Sequence, residues 1–254
     1  MRKIKFVTTE AVLIAAVIAA VLRFWEIKTV FEPLTGLAKQ YAFVSVLLVL
    51  LTVAVIGASV WYGIAVVHKG CVNVDPERPF PTTNKLAQLV CIVTGAIVVV
   101  GSAMNFVMDY GETVGFRAVF TVLGVLTGIG ICSTASAKVR KNGTWECIGA
   151  IFMCFWLVMT YKENNTNPVL IEYCYECLGA AAATLSFYYA AGHYYGRILP
   201  KRTIITHMLG VYFCLLTTVS AGNFPQGLIF AALSIYQLIK VCGYIKGSPS
   251  KEIN

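Results

Sequence analysis

Residues 41–67, YAFVSVLLVLLTVAVIGASVWYGIAVV, run from Tyr41 to Val67 without one charged side chain. A helix of that length is about 40 Å long at 1.5 Å per residue, against about 30 Å of bilayer hydrocarbon. The stretch therefore reads as a membrane-crossing helix.

The rest of the chain follows the same pattern. Its 254 residues are 58% hydrophobic and 13% charged, whereas soluble domains run near 45–50% apolar and about 25% charged. The mean hydropathy is +0.74. These values exclude disorder, a coiled coil and an ordinary soluble enzyme. About eight stretches meet the length and apolarity of a bilayer span. They cover 6–24, 41–67, 86–109, 117–137, 145–162, 168–196, 203–222 and 226–245. The expected fold is all-α, a polytopic transmembrane bundle of about eight spans in one integral membrane domain covering 1–254. The connections are short. The longest, around Asp75-Pro76-Glu77-Arg78-Pro79-Phe80-Pro81, reads as an extended connector. Gly222-Asn223-Phe224-Pro225-Gln226 reads as a tight turn between the last two spans.

Lys and Arg gather in cytoplasmic loops. With the N-terminus inside, only Arg23, Lys28, Lys39, Arg117 and Lys162 of the 20 basic residues fall outside. That asymmetry selects both termini as cytoplasmic. It also turns the net charge of +8 into a topology signal rather than a nucleic-acid surface. Arg23 and Lys5, which bracket the first span, have side chains long enough to snorkel to the headgroups. No small-x-small cleavage site precedes Arg23, so the first helix reads as retained. The nine cysteines are odd in number and fall mostly inside spans, where thiols pack as small hydrophobes. Cys174 and Cys177 form a lone CxxC on a membrane helix. The eight prolines all lie in loops or at helix ends, with Asn167-Pro168 reading as cap and first turn of the sixth span. No span carries the central proline common where carriers unwind a helix.

Polar residues inside the spans hold the functional information. On the sixth span, steps of four and three give Glu172, Glu176, Gly179, Ala183, Ser186, Ala190 and His193, a small and polar face. The third span gives Ser102, Asn105, Asp109 and Glu112 by the same steps. The fourth begins at Arg117 and carries a Gly124–Gly128 pair suited to close helix approach. Ionisable groups in hydrocarbon are costly and belong on the bundle interior or a wet cavity. With the N-terminus inside, Asn105, Asp109, Glu112, Arg117, Glu172 and Glu176 share the outer half. They predict an acidic vestibule for a small cationic ligand, metal ion or proton, with Glu176 the deepest member. His193 and His207 lie in the inner half, where they would serve a proton relay. Ser186 is the lone polar step between Glu176 and His193, so the relay is thin.

Catalytic motifs are sparse. Gly57-Ala58-Ser59-Val60 and His207-Met208-Leu209-Gly210 match the GxSx and HxxG elements of rhomboid-type proteases, without the accompanying early His and Asn. No HExxH, Walker or dinucleotide motif appears in a suitable context, and no cofactor is implied. Lys240 in the last span invites a retinal linkage, but no carboxylate counter-ion is suggested beside it. Asn164-Asn165-Thr166 is a formal glycosylation sequon.

After the first span comes Leu22-Arg23-Phe24-Trp25-Glu26-Ile27-Lys28-Thr29-Val30-Phe31-Glu32-Pro33-Leu34-Thr35-Gly36-Leu37. This segment resembles one in a group of uncharacterised polytopic membrane proteins of Firmicutes-type bacteria. The resemblance implies a bacterial plasma-membrane location and no particular activity.

Three functional classes fit. A small-ligand or ion carrier needs a solvent-reachable polar cavity near Glu176. A non-catalytic subunit, sensor or scaffold that partners another membrane protein needs an exposed small-residue face such as Gly124–Gly128. A membrane-embedded enzyme needs titratable groups converging within hydrogen-bond reach. All three share the lipid bilayer as partner, and none involves nucleic acid.

Overall fold

A computed structural model describes residues 2–31, 42–68, 85–108, 114–135, 143–165 and 170–246. These hold eight helices: α1 (Arg2–Thr29), α2 (Phe43–His68), α3 (Lys85–Val107), α4 (Val114–Thr134), α5 (Thr144–Asn164), α6 (Leu170–Tyr194), α7 (Pro200–Ser220) and α8 (Phe224–Lys246). Each lies on one of the apolar stretches expected from the sequence. The 69–84 connector, the Asn167-Pro168 cap, Glu32 to Leu37 of the resembling segment, Thr166 of the sequon, Asp109 and Glu112 lie outside the described residues.

Six helices, α2, α3, α4, α5, α7 and α8, are long and apolar enough to cross a membrane. The chain is a multi-pass, all-helical membrane protein. α1 and α6, at 28 and 25 residues, match the others in length. Their apolar runs are broken by Arg23 and Glu26 in α1 and by Glu176 and several tyrosines in α6.

The packing follows from where the small and apolar residues fall. α3, α4, α5, α6, α7 and α8 each pack on the next, and α8 closes back on α3, giving a six-helix ring. α1 and α2 pack on each other and both on α7, outside that ring. α7 is thus enclosed on most sides, while α2 is largely uncovered by protein and offers Val49, Leu50, Val53 and Trp61 to lipid. The ring interior is aromatic: Phe120, Phe152, Trp156, Phe187, Phe230 and Tyr236 form its core. A second core under α1 and α2 gathers Leu48, Tyr62, Met208, Tyr212 and Tyr244.

Glycine sets the closest approach. A Cβ on Gly128 would lie 2.7 Å from the Gly95 carbonyl oxygen, and one on Gly95 would lie 2.6 Å from that of Gly128. Backbone meets backbone there, so α3 and α4 touch only because neither residue has a side chain. Gly124 faces Ser102 of α3. The Gly124–Gly128 pair therefore serves close helix packing inside the ring, as its spacing suggests, and does not form the exposed face that a scaffold reading would need. The small face of α6 is likewise buried: Ala183, Ser186, Ala190 and His193 are all enclosed, and the Ser186 hydroxyl donates to the Thr206 carbonyl of α7 at 2.8 Å.

The α7–α8 turn is shorter than expected. α8 starts at Phe224, because the Asn223 side chain accepts the Gln226 N–H at 3.0 Å and caps the helix. Pro225 then sits in the first turn, where its missing N–H removes no bond.

Candidate functional site

At the end of the ring where α3 and α5 finish and α4, α6 and α8 begin, five helices leave a cavity of about 30 Å³. Asn105 of α3, Arg117 and Phe120 of α4, Trp156, Met159, Thr160 and Glu163 of α5, Glu176 of α6 and Gln226 of α8 line it. Roughly 10–15 Å³ on this measure holds one water, so the space suits about two water-sized groups. Glu163 is exposed and forms part of the lining, so the cavity reaches the surface of the bundle.

Glu176 is fixed in place by α5. Its Oε1 accepts the Trp156 indole N–H at 2.7 Å and the Thr160 hydroxyl at 3.0 Å. Trp156 is in turn wedged among Phe120, Phe152 and Phe230, with ring centroids 4.9, 5.7 and 4.6 Å away. A donor carried on a packed ring cannot drift, so the carboxylate is held in one orientation. Asn105 Oδ1 is buried and finds no hydrogen-bond partner among the described residues. An acceptor left so is costly by roughly 1–3 kcal/mol, and a donor entering the cavity relieves that cost. Two carboxylates, Glu163 and Glu176, and one guanidinium, Arg117, give the lining a formal charge of −1. The Lys162 ammonium lies 4.3 Å from the Phe116 ring centroid on the adjoining surface of α4.

Three of the six residues expected in the vestibule thus meet at one cavity: Glu176, Asn105 and Arg117. Glu172 lies on α6, but its side chain, like all of Asp109, is outside the described residues. Trp156, Thr160 and Gln226 were not anticipated. A tryptophan and a threonine on an apolar span read as ordinary core, and only the α5–α6 pairing brings them to the carboxylate.

His193 and His207 lie toward the opposite end of the ring. His193 Nδ1 donates to the Tyr189 carbonyl at 2.7 Å, which leaves Nε2 to accept from the Tyr244 hydroxyl at 2.8 Å. His207 Nδ1 donates to the Thr203 carbonyl at 2.8 Å. Phe187, Phe152 and Ala183 belong to the ring core together with Trp156 of the cavity wall.

That opposite end of the ring holds a second polar cluster. Lys240 Nζ of α8 lies 2.5 Å from Glu146 Oε1 of α5. The Tyr236 hydroxyl donates to that same oxygen at 2.9 Å. Lys240, on the last span as expected, therefore does have a carboxylate counter-ion, contrary to the expectation that none lies beside it. Arg23 likewise does not snorkel: it is buried, bonds Glu26 at 2.6 Å and lies 4.9 Å from the Tyr175 ring.

The rhomboid-like pairing is not formed among the described residues, where the buried Ser59 hydroxyl finds no hydrogen-bond partner. Among the described residues no group of three His, Cys, Asp or Glu side chains is placed to hold a metal ion.

No family model matches the chain, and neither the curated proteins nor the solved structures give a match.

Proposed function

We propose that this multi-pass protein is a carrier for a small monovalent cation of ammonium or methylammonium size. It resides in a bacterial plasma membrane with both termini cytoplasmic, so the Glu176 cavity opens outward. The observation that carries the reading is the convergence of Glu176, Asn105, Arg117 and Trp156 on one cavity at one end of a helical ring.

The chemistry narrows the ligand. A room for about two water-sized groups admits an ammonium bearing at most a methyl group. The N–H donors of such a cation match the Glu176 carboxylate and the Asn105 oxygen, which has no partner among the described residues. Phe120, Trp156 and Met159 supply an apolar and aromatic wall, and a cation gains about 0.5–2 kcal/mol over a ring face. Arg117 offsets one of the two carboxylates, which suits a monovalent rather than a divalent guest.

The test is a thermal-unfolding titration of the detergent-purified protein with methylammonium chloride, against sodium chloride at equal ionic strength. The expected result is a saturable rise in the unfolding midpoint that disappears in Glu176→Gln while the variant elutes as a folded species. A wild-type midpoint that methylammonium leaves unmoved, or a rise that persists in Glu176→Gln, overturns the reading.

A further inference from the structure

We infer that Glu146 is a second cation-binding carboxylate, the inner counterpart of Glu176, and that the ammonium of Lys240 occupies its place while the inner end is closed. The inference rests on the carrier reading, and it names a second site and its occupant. The two carboxylates are built alike. Each takes two donors on one oxygen, Trp156 and Thr160 on Glu176 and Lys240 and Tyr236 on Glu146. Each is backed by an aromatic ring, and Lys240 Nζ lies 5.1 Å from the Tyr236 centroid. What differs is the guest: the outer cavity is open, whereas the inner site holds a tethered alkylammonium.

Position supports a common path. Glu146 and Thr160 are both on α5, about 21 Å apart along its axis, most of the thickness of the hydrocarbon. A column of rings joins the two levels. Trp156 touches Phe152 and Phe230, and Phe187 stacks on Tyr236 at 5.8 Å. Such a column separates two stations of a carrier and keeps water from running through.

Stability does not account for the inner pair. Buried ion pairs are commonly no better than apolar side chains of like volume, because desolvation cancels the attraction. This one also leaves Glu146 Oε2 buried and without a partner among the described residues. One turn away, both amide atoms of Gln237, which is 1% exposed, find no partner among the described residues. Ionisable groups in such settings mark ion paths. Cys91, Tyr194, His193 and His207 lie within electrostatic range of Lys240, so α3, α6 and α7 also face the cluster.

The experiment separates the two sites. In a Glu176→Gln background, which silences the outer site, Lys240→Ala vacates the inner one. Methylammonium then raises the unfolding midpoint of Glu176→Gln/Lys240→Ala saturably, and adding Glu146→Gln removes the response. No response in the double variant, or one that survives Glu146→Gln, overturns the inference. Neither outcome depends on the outer site binding anything. Where Lys240→Ala fails to fold, the readout is the alkylation rate of Cys91 by N-ethylmaleimide in a chain with Lys240 intact and Cys91 as its sole cysteine. Cys91 is buried and within electrostatic range of both charges. Displacement of Lys240 by methylammonium changes the alkylation rate several-fold, because the charge felt by the Cys91 thiol is rearranged, and does so only with Glu146 present. A rate that methylammonium leaves unchanged overturns the inference.

Discussion

The indole N–H of Trp156 donates to Glu176 Oε1 at 2.7 Å, so the cavity carboxylate is positioned by a ring packed in the core of the neighbouring helix. Trp156→Phe keeps an aromatic body and removes that donor. A hydrogen bond to a charged group is worth about 1.5–3 kcal/mol. Methylammonium affinity should therefore fall roughly tenfold or more as Glu176 loses its fixed orientation. Thr160 still holds the same oxygen, so binding is weakened rather than abolished. Midpoint shifts over a concentration series give the two apparent dissociation constants. Equal constants would show that the indole does not position the carboxylate.

The α3–α4 contact makes a separate prediction. Gly128→Ala places a methyl group 2.7 Å from the Gly95 carbonyl, where backbone rather than a flexible side chain must yield. Overpacking of this kind is destabilising by roughly 1–3 kcal/mol. Gly57→Ala on α2 is the control, since nothing lies within 4 Å of its added Cβ. The first variant should melt several degrees below wild type and the second should match it. Because Asn105 and Arg117 sit on these two helices, Gly128→Ala should also weaken methylammonium binding. Melting curves that coincide for Gly128→Ala and Gly57→Ala would show that the helices separate without strain.

The helices and the Glu176 site were legible for one physical reason. Spans alternate in direction, so residues late in one and early in the next share a membrane face. That rule alone brings Asn105, Arg117 and Glu176 to the same end. The donors on Glu176 were not legible, because Trp156 and Thr160 carry no signal apart from the α5–α6 pairing. The Glu146–Lys240 pair is further from reach. Its members are 94 residues apart, on helices that are not a principal packing pair. Only the length of the lysine side chain, reaching across the ring, joins them. Two opposite charges at matching depth in different spans were the available sign.

Orientation gives a third prediction. The proposed outward opening of the cavity depends on the surplus of Lys and Arg on the N-terminal side. A phosphatase fused after Asn254 should be inactive, and a fluorescent protein at the same place should mature. The opposite pair of results would turn the Glu176 cavity toward the cytoplasm.

The buried charges of α1 give the last prediction. Arg23 and Glu26 are each 1% exposed and bonded at 2.6 Å, and the guanidinium lies over the Tyr175 ring of α6. Removing one partner from a buried pair is destabilising by about 3–5 kcal/mol, because the other charge stays buried without compensation. Replacing both with apolar side chains removes that penalty. Arg23→Met should therefore melt well below wild type, and Arg23→Met/Glu26→Leu should recover much of the loss. The order of the two melting points is the decisive quantity. If the double variant is the less stable, the pair contributes net stability and α1 is anchored to the ring by its charges. If it is the more stable, packing of the apolar face of α1 on α7 suffices to hold the helix, and the ion pair is tolerated there rather than required.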